Sequence, residues 1–109
     1  MNDSDQLSVG LRRLRNALEQ CQEQSFLNLL DDALQMSGGE RDQFLVSNEL
    51  WGGAGSIADQ AGIDAGRSGR RDVESALIHL GEEQIRRGLV NPRTAFWVDT
   101  FKKWHRDGI

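Results

Sequence analysis

The chain is short of the residues that staple or punctuate a fold. Among its 109 residues it has one cysteine, one proline and no tyrosine. A lone thiol, Cys21, excludes an internal disulfide, and no usual four-ligand zinc site can be drawn from it. The two histidines, His79 and His105, are too far apart in sequence for a local metal motif. No apolar run approaches the roughly 18 residues that a membrane span needs. β-Branched residues are scarce and no alternating run is longer than a few residues, which leaves little material for a sheet. The stretch Met1-Asn2-Asp3-Ser4-Asp5 is acidic and polar, unlike a signal peptide. A cytoplasmic protein is expected, with no metal, no cofactor and no membrane partner.

What is present fits one helical domain over residues 1–109. Apolar residues make up 38% of the chain and charged residues 28%, a globular balance. The net charge of −4 is unevenly spread. Residues 1–54 hold four arginines against nine acids (net −5), and residues 55–109 hold nine bases against eight acids (net +1). This balance argues against nucleic acid as the partner, because a nucleic-acid binder normally shows a basic face. It fits either a positively charged partner at the acidic half or a solvated acidic surface.

Hydrophobic spacing predicts a compact all-α bundle of four to five helices. Leu7, Leu11, Leu14, Leu18 and Cys21 recur at intervals of four and three, one stripe of a first helix capped by Ser4 or Asp5. Phe26, Leu29, Leu30, Ala33 and Leu34 give a second helix over Ser25–Met36, stopped by Gly38-Gly39. Gln22-Glu23-Gln24 contains no breaker, so residues 4–36 read as one bent helix or as two. A third helix is expected from Glu40 to Leu50 with Phe44 and Leu45 inward and Val46 as a further candidate, then a short turn of helix from Ser56 to Gln60. Gly62–Gly69 reads as a loop.

A fourth helix is expected from Arg71 to Gly88, with Val73, Ala76, Leu77, Leu80, Gln84, Ile85 and Gly88 inward. Gly81 within it suggests either a closely approaching neighbour or a glycine tolerated at the surface. Asn91-Pro92 marks the start of a last helix running to Arg106. The stripe Phe96, Trp97, Thr100, Phe101 and Trp104 lies on one side of it. Core packing accounts for Phe101 and one tryptophan. An exposed remainder of Trp97, Phe101 and Trp104 would serve as an interface for a partner or a homodimer.

The least generic segment is the turn Trp51-Gly52-Gly53-Ala54-Gly55-Ser56-Ile57-Ala58-Asp59. Its glycines permit a positive φ or a close backbone approach. Ser56 and Asp59 have capping-box spacing: the hydroxyl would accept from the N–H of Asp59, and the carboxylate would reach back to the N–H of Ser56. A sharp, fixed joint between helices follows, with Trp51 packed over it. Residues Trp51, Gly52, Gly53, Gly55, Ser56 and Asp59 are therefore the candidate structural or interaction turn. An anion site at this helix start lacks support: no lysine lies near, and neither the phosphate-loop nor the dinucleotide pattern is met.

This string resembles the aromatic-Gly-Gly-Met-Gly-Ser-x-x-Asp motif of small, helical, uncharacterised bacterial proteins. Ala54 stands where that motif has methionine. The resemblance implies a bacterial source and a shared turn, and it implies no activity. Some small bacterial proteins of this general type are immunity partners of toxins.

Catalytic constellations are thin. Ser56 and His79 could be drawn into a triad, but the nucleophile-elbow pattern is missing. Asp31-Asp32 and Glu82-Glu83 are adjacent on helices, so each pair diverges by about 100° and shares no site. Arg70-Arg71 and Arg86-Arg87 have acids nearby to offset them. The leading expectation is a non-enzymatic protein-interaction module with no catalytic residues. It would act through the acidic half or the Trp51–Asp59 turn. A toxin-immunity protein is its sharper form. A small-ligand binder or enzyme using the turn and His79 is the alternative class, and a structural homodimer is a third.

Overall fold

The leucine stripe of the first helix is buried as its spacing requires. In the computed structural model, which describes residues 3–36 and 38–108, α1 covers Asp3–Gln20 and Leu7, Leu11, Leu14 and Leu18 are all at most 2% exposed. The cap expected at Ser4 or Asp5 lies outside the described side chains; the helical backbone itself starts at Asp3. The chain then breaks at Gln22, which has a left-handed φ of 59°. Residues 4–36 are therefore two helices. The second, α2, covers Gln24–Gln35, and its inner face centres on Leu27, Leu30 and Ala33. Phe26, Leu29 and Leu34 sit on its flanks, partly buried.

Two further joints depart from expectation. Gly38-Gly39 does not end α2; it opens α3, Gly38–Leu45. The expected third helix is split, because Ser47 caps a separate single turn, α4, Asn48–Trp51. The Ser47 hydroxyl donates to the Phe44 carbonyl at 2.6 Å and accepts from the Leu50 N–H at 3.4 Å. That serine satisfies both the end of one helix and the start of the next.

The single turn α5, Ile57–Gln60, forms where it was expected, with Ser56 as its cap. The Gly62–Gly69 stretch is not a loop. A 3-10 turn, Ile63–Ala65, leads directly into α6, Gly66–Arg87. Gly69 is a packing glycine within that helix. A Cβ there would lie 2.7 Å from Ala65 Cβ and 3.3 Å from Cys21 Sγ, so its absence lets the α1–α2 corner approach. The α6 helix ends at Gly88, left-handed at φ 72°, as its sequence indicates.

The last helix, α7, covers Thr94–Asp107. It begins later than Asn91-Pro92 suggests, but Asn91 still organises the start. Its side-chain oxygen accepts from the Arg93 N–H, and its own N–H donates to Thr94 Oγ1. Its side-chain amide donates to the Val46 carbonyl and to Asn48 Oδ1, which ties this corner to the α3–α4 corner.

The described residues thus form an all-α fold without a strand, and the helix count exceeds four to five: seven α-helical segments and one 3-10 turn. α6 is the central element, with α1 packed along one side and α7 along another. α2 packs on α1. Gly81 faces a close neighbour as expected. A Cβ there would collide with Val98 Cγ2 and sit 3.0 Å from Trp51 Cη2. Among the described residues no helix is long and apolar enough to cross a membrane.

Candidate interaction groove

The glycine turn is built by internal bonds. Trp51 is completely buried, and its indole N–H donates to Gln84 Oε1 at 3.1 Å. The Gln84 amide then donates to the carbonyls of Leu45 and Leu89. One fully buried glutamine therefore joins α3, α4, α6 and the segment before α7, with each polar atom matched. The next residue, Gly52, cannot carry a side chain. A Cβ there would lie 2.5 Å from the Asn48 carbonyl oxygen. Gly55 is left-handed at φ 88°. Gly53 has open space around its Cβ position and no positive φ.

Ser56 is 3% exposed. Its hydroxyl donates to the Gly52 carbonyl at 2.9 Å and accepts from the Asp59 N–H at 3.1 Å. The return bond of the capping box goes elsewhere than expected. Asp59 Oδ2 accepts from the N–H of Gly55, at 3.0 Å, and not from that of Ser56. The Ser56 N–H is already given to the Gly53 carbonyl. The left-handed Gly55 therefore supplies the donor that the short aspartate can reach. Asp59 also accepts from Gln60 Nε2. That bond, then the one from Gly55, holds its carboxyl below the ordinary carboxylate range.

The aromatic residues of α7 divide between core and surface. Phe101 is fully buried and leaves the set of contact residues, whereas Trp97 and Trp104 are partly buried and Phe96 is 56% exposed. Val98, which the stripe omitted, is 1% exposed and takes a core position. The rings form a chain: Phe96 meets Trp97 edge-on at 5.4 Å, Trp97 stacks on Phe101 at 5.4 Å, and Trp104 tilts against Phe101 at 5.8 Å. Trp97 also donates its indole N–H to the carbonyls of Trp51 and Gly52. The two segments singled out in the sequence, turn and stripe, thus meet.

Between them runs an open groove of about 380 Å³. Trp97 and Trp104 form its α7 wall, Ile63 and Asp59 lie on the other side, and Arg67, Arg70, Arg71 and Glu74 come from α6. Ile63 is 49% exposed. Arg70 is committed inward. It pairs with Glu74 at 2.9 Å, donates to the carbonyls of Ala58 and Ala61 at the end of α5, and lies over the Phe101 ring at 5.3 Å. The second oxygen of Glu74 meets His105 Nε2 at 2.8 Å. Glu74 is 3% exposed, so a buried carboxylate is matched on both oxygens.

Sequence reasoning missed this Arg70–Glu74–His105 cluster. The four-residue step from Arg70 to Glu74 is the spacing of a helical ion pair and was the available signal. His105 is 31 residues from Glu74, and nothing local announces it. It is a carboxylate partner near the end of α7.

His79 is exposed on α6, and the Ser56 hydroxyl is spent on backbone groups. Among the described residues no group of three or more histidine, cysteine, aspartate or glutamate side chains could hold a metal ion. No protein family, curated protein or solved structure matches this chain.

Proposed function

We propose that this chain is a non-enzymatic protein-interaction module whose contact surface is the groove between α5, α6 and α7. One observation carries the reading. Partly buried Trp97 and Trp104 and half-exposed Ile63 line one groove together with Arg67 and Arg71. Tryptophan and arginine are the residues that most often dominate binding at protein interfaces. The Trp51–Ser56 turn supports the groove from behind, because its hydroxyl and indole groups are consumed internally.

A second reading, a small-ligand binder, draws on the groove volume of about 380 Å³, which lies in the range of small-molecule sites, about 300–1,000 Å³. The openness of the groove along α7 favours a macromolecular partner.

The test is affinity capture from the source cell with the wild-type chain and with Trp104→Ala combined with Ile63→Ala, both shown to be folded by circular dichroism. A protein retained by the wild type and lost by the variant supports the module. Equal recovery by both places the interface elsewhere, and repeated recovery of nothing rejects the reading.

A further inference from the structure

The glycine turn lines the groove through Asp59 alone, yet it reaches the groove wall through Trp97. That ring is held on three sides. Its indole N–H donates to the carbonyls of Trp51 at 3.0 Å and of Gly52 at 3.2 Å. Its face lies on the fully buried Phe101 ring, 26° from parallel, and Phe96 meets it edge-on. Trp104, in the same wall, is held less. It touches Phe101 at a tilt of 58°, and no described residue accepts from its indole N–H.

The hold on Trp97 depends on where the Gly52 carbonyl points, and three contacts set that direction. The Gly52 N–H donates to the Asn48 carbonyl at 2.9 Å. Its Cα stands so close to Asn48 that a Cβ would collide. Its carbonyl accepts from Ser56 Oγ at 2.9 Å, and that oxygen is itself fixed by the Asp59 N–H. Ser47 offers a comparison inside the same molecule. It too caps a helical turn and donates to a carbonyl behind it. The bond from Ser47 ends on Phe44, whereas the bond from Ser56 ends on the carbonyl that receives the Trp97 indole.

Resting on the reading of the groove as the contact surface, we propose that Ser56 and Gly52 are positioning residues of that surface: they aim the Gly52 carbonyl, the carbonyl holds the Trp97 indole, and a partner meets a wall already in place. A side chain fixed beforehand loses no rotamer freedom on binding, which is worth about two- to tenfold in affinity. The unusual turn and the contact surface are then one device, joined through a single carbonyl oxygen.

The three tryptophans give three indole N–H signals in the NMR spectrum of the full chain, and no partner is needed to read them. In the wild type the Trp97 N–H should exchange with deuterium at least about tenfold more slowly than the Trp104 N–H. Ser56→Ala should shift the Trp97 signal and speed its exchange by about fivefold, with Trp104 unmoved. Ser47→Ala is the control, because Ser47 caps α4 in the same way, and it should leave Trp97 within about twofold of the wild type. Ser56→Thr keeps the hydroxyl and should restore the wild-type signal. In the capture experiment described above, Ser56→Ala should retain about two- to tenfold less partner than Ser47→Ala, although neither serine lines the groove.

Wild-type exchange of Trp97 as fast as that of Trp104 overturns the inference without any variant. So does a Trp97 signal that ignores Ser56→Ala, or one that responds equally to Ser56→Ala and Ser47→Ala, which would make Ser56 a helix cap and nothing more. Equal capture by the two serine variants, with Trp97 displaced only in the first, overturns the link from turn to binding. Recovery of no partner by the wild type rejects the contact surface and with it the role in binding, while the indole signals decide separately whether the turn holds Trp97.

Discussion

The turn at Trp51–Asp59 and the groove beside it share Asp59 but are built on opposite principles. In the turn, donors and acceptors find each other inside the molecule: Trp51 with Gln84, Ser56 with Gly52 and Asp59, and Asp59 with Gly55. In the groove, the Trp97 and Trp104 rings are only partly buried and Ile63 is half exposed. Two of the string's three glycines serve the turn itself, Gly52 through close contact with Asn48 and Gly55 through its left-handed φ. The accessible chemistry sits on ordinary positions of α6 and α7. A rare sequence motif marks a place where the backbone is constrained, and the constraint can serve packing as well as binding.

Removing a tryptophan from each region tests that contrast most strongly. Trp51→Ala deletes a fully buried indole and leaves Gln84 Oε1 without its donor. It should destabilise the chain by about 3–5 kcal/mol in urea unfolding followed by circular dichroism. Trp104 is only partly buried, and Trp104→Ala should cost about 1 kcal/mol. Similar losses from the two variants would break the distinction between framework and surface.

The glycines sharpen the same point within four residues. Gly52→Ala pushes a methyl group into the Asn48 backbone and should cost about 1–3 kcal/mol. Gly53→Ala meets open space and should stay within about 0.5 kcal/mol of the wild type. Thermal melts of both proteins suffice. An intolerant Gly53 would point to a role for the exposed rim that packing does not require. Ser56→Ala is expected to lie below Gly52→Ala, at about 1 kcal/mol for a lost cap. Ser47→Ala should cost a similar amount, because Ser47 caps α4 in the same way. A much larger loss at Ser56 would show that its second bond, to the Gly52 carbonyl, dominates.

How much of this was legible depends on whether the deciding interaction is local. The α1 stripe, the Ser56 cap and the Gly88 stop were all readable, because each is fixed by residues within one or two helical turns. The approach at Gly81 was readable because a glycine inside an apolar helical face needs a reason. Four features were not. Gln22 turns left-handed with no breaker beside it, although the Glu23 carboxylate there accepts from the distant Gly62 N–H. Gly66 and Gly69 looked like loop residues, but Gly69 serves contact with Cys21 from another corner of the fold. The Ser47 cap lay hidden inside a plausible longer helix. The groove joins Asp59, Arg67 and Trp104 only through tertiary packing, so spacing along the chain could point to its walls but not to its existence.

The smallest expected effect separates the charges beneath the groove from those that serve only α6. Glu83 is bridged by Arg86 and Arg87, and these arginines, Arg86 first, hold its carboxyl down at about 2, against an ordinary 4.5. A carboxylate whose folded value is depressed stabilises the native state above the unfolded value and loses that contribution as pH falls through the folded one. Glu83→Gln should therefore cost about 0.5 kcal/mol at neutral pH, the scale of a solvent-screened pair. The difference from wild type should be full above pH 4.5 and shrink as the pH falls towards 2. Paired melting curves at pH 7 and pH 3 measure it. A difference that does not change between them would mean that Glu83 contributes through packing of its side chain and not through its charge.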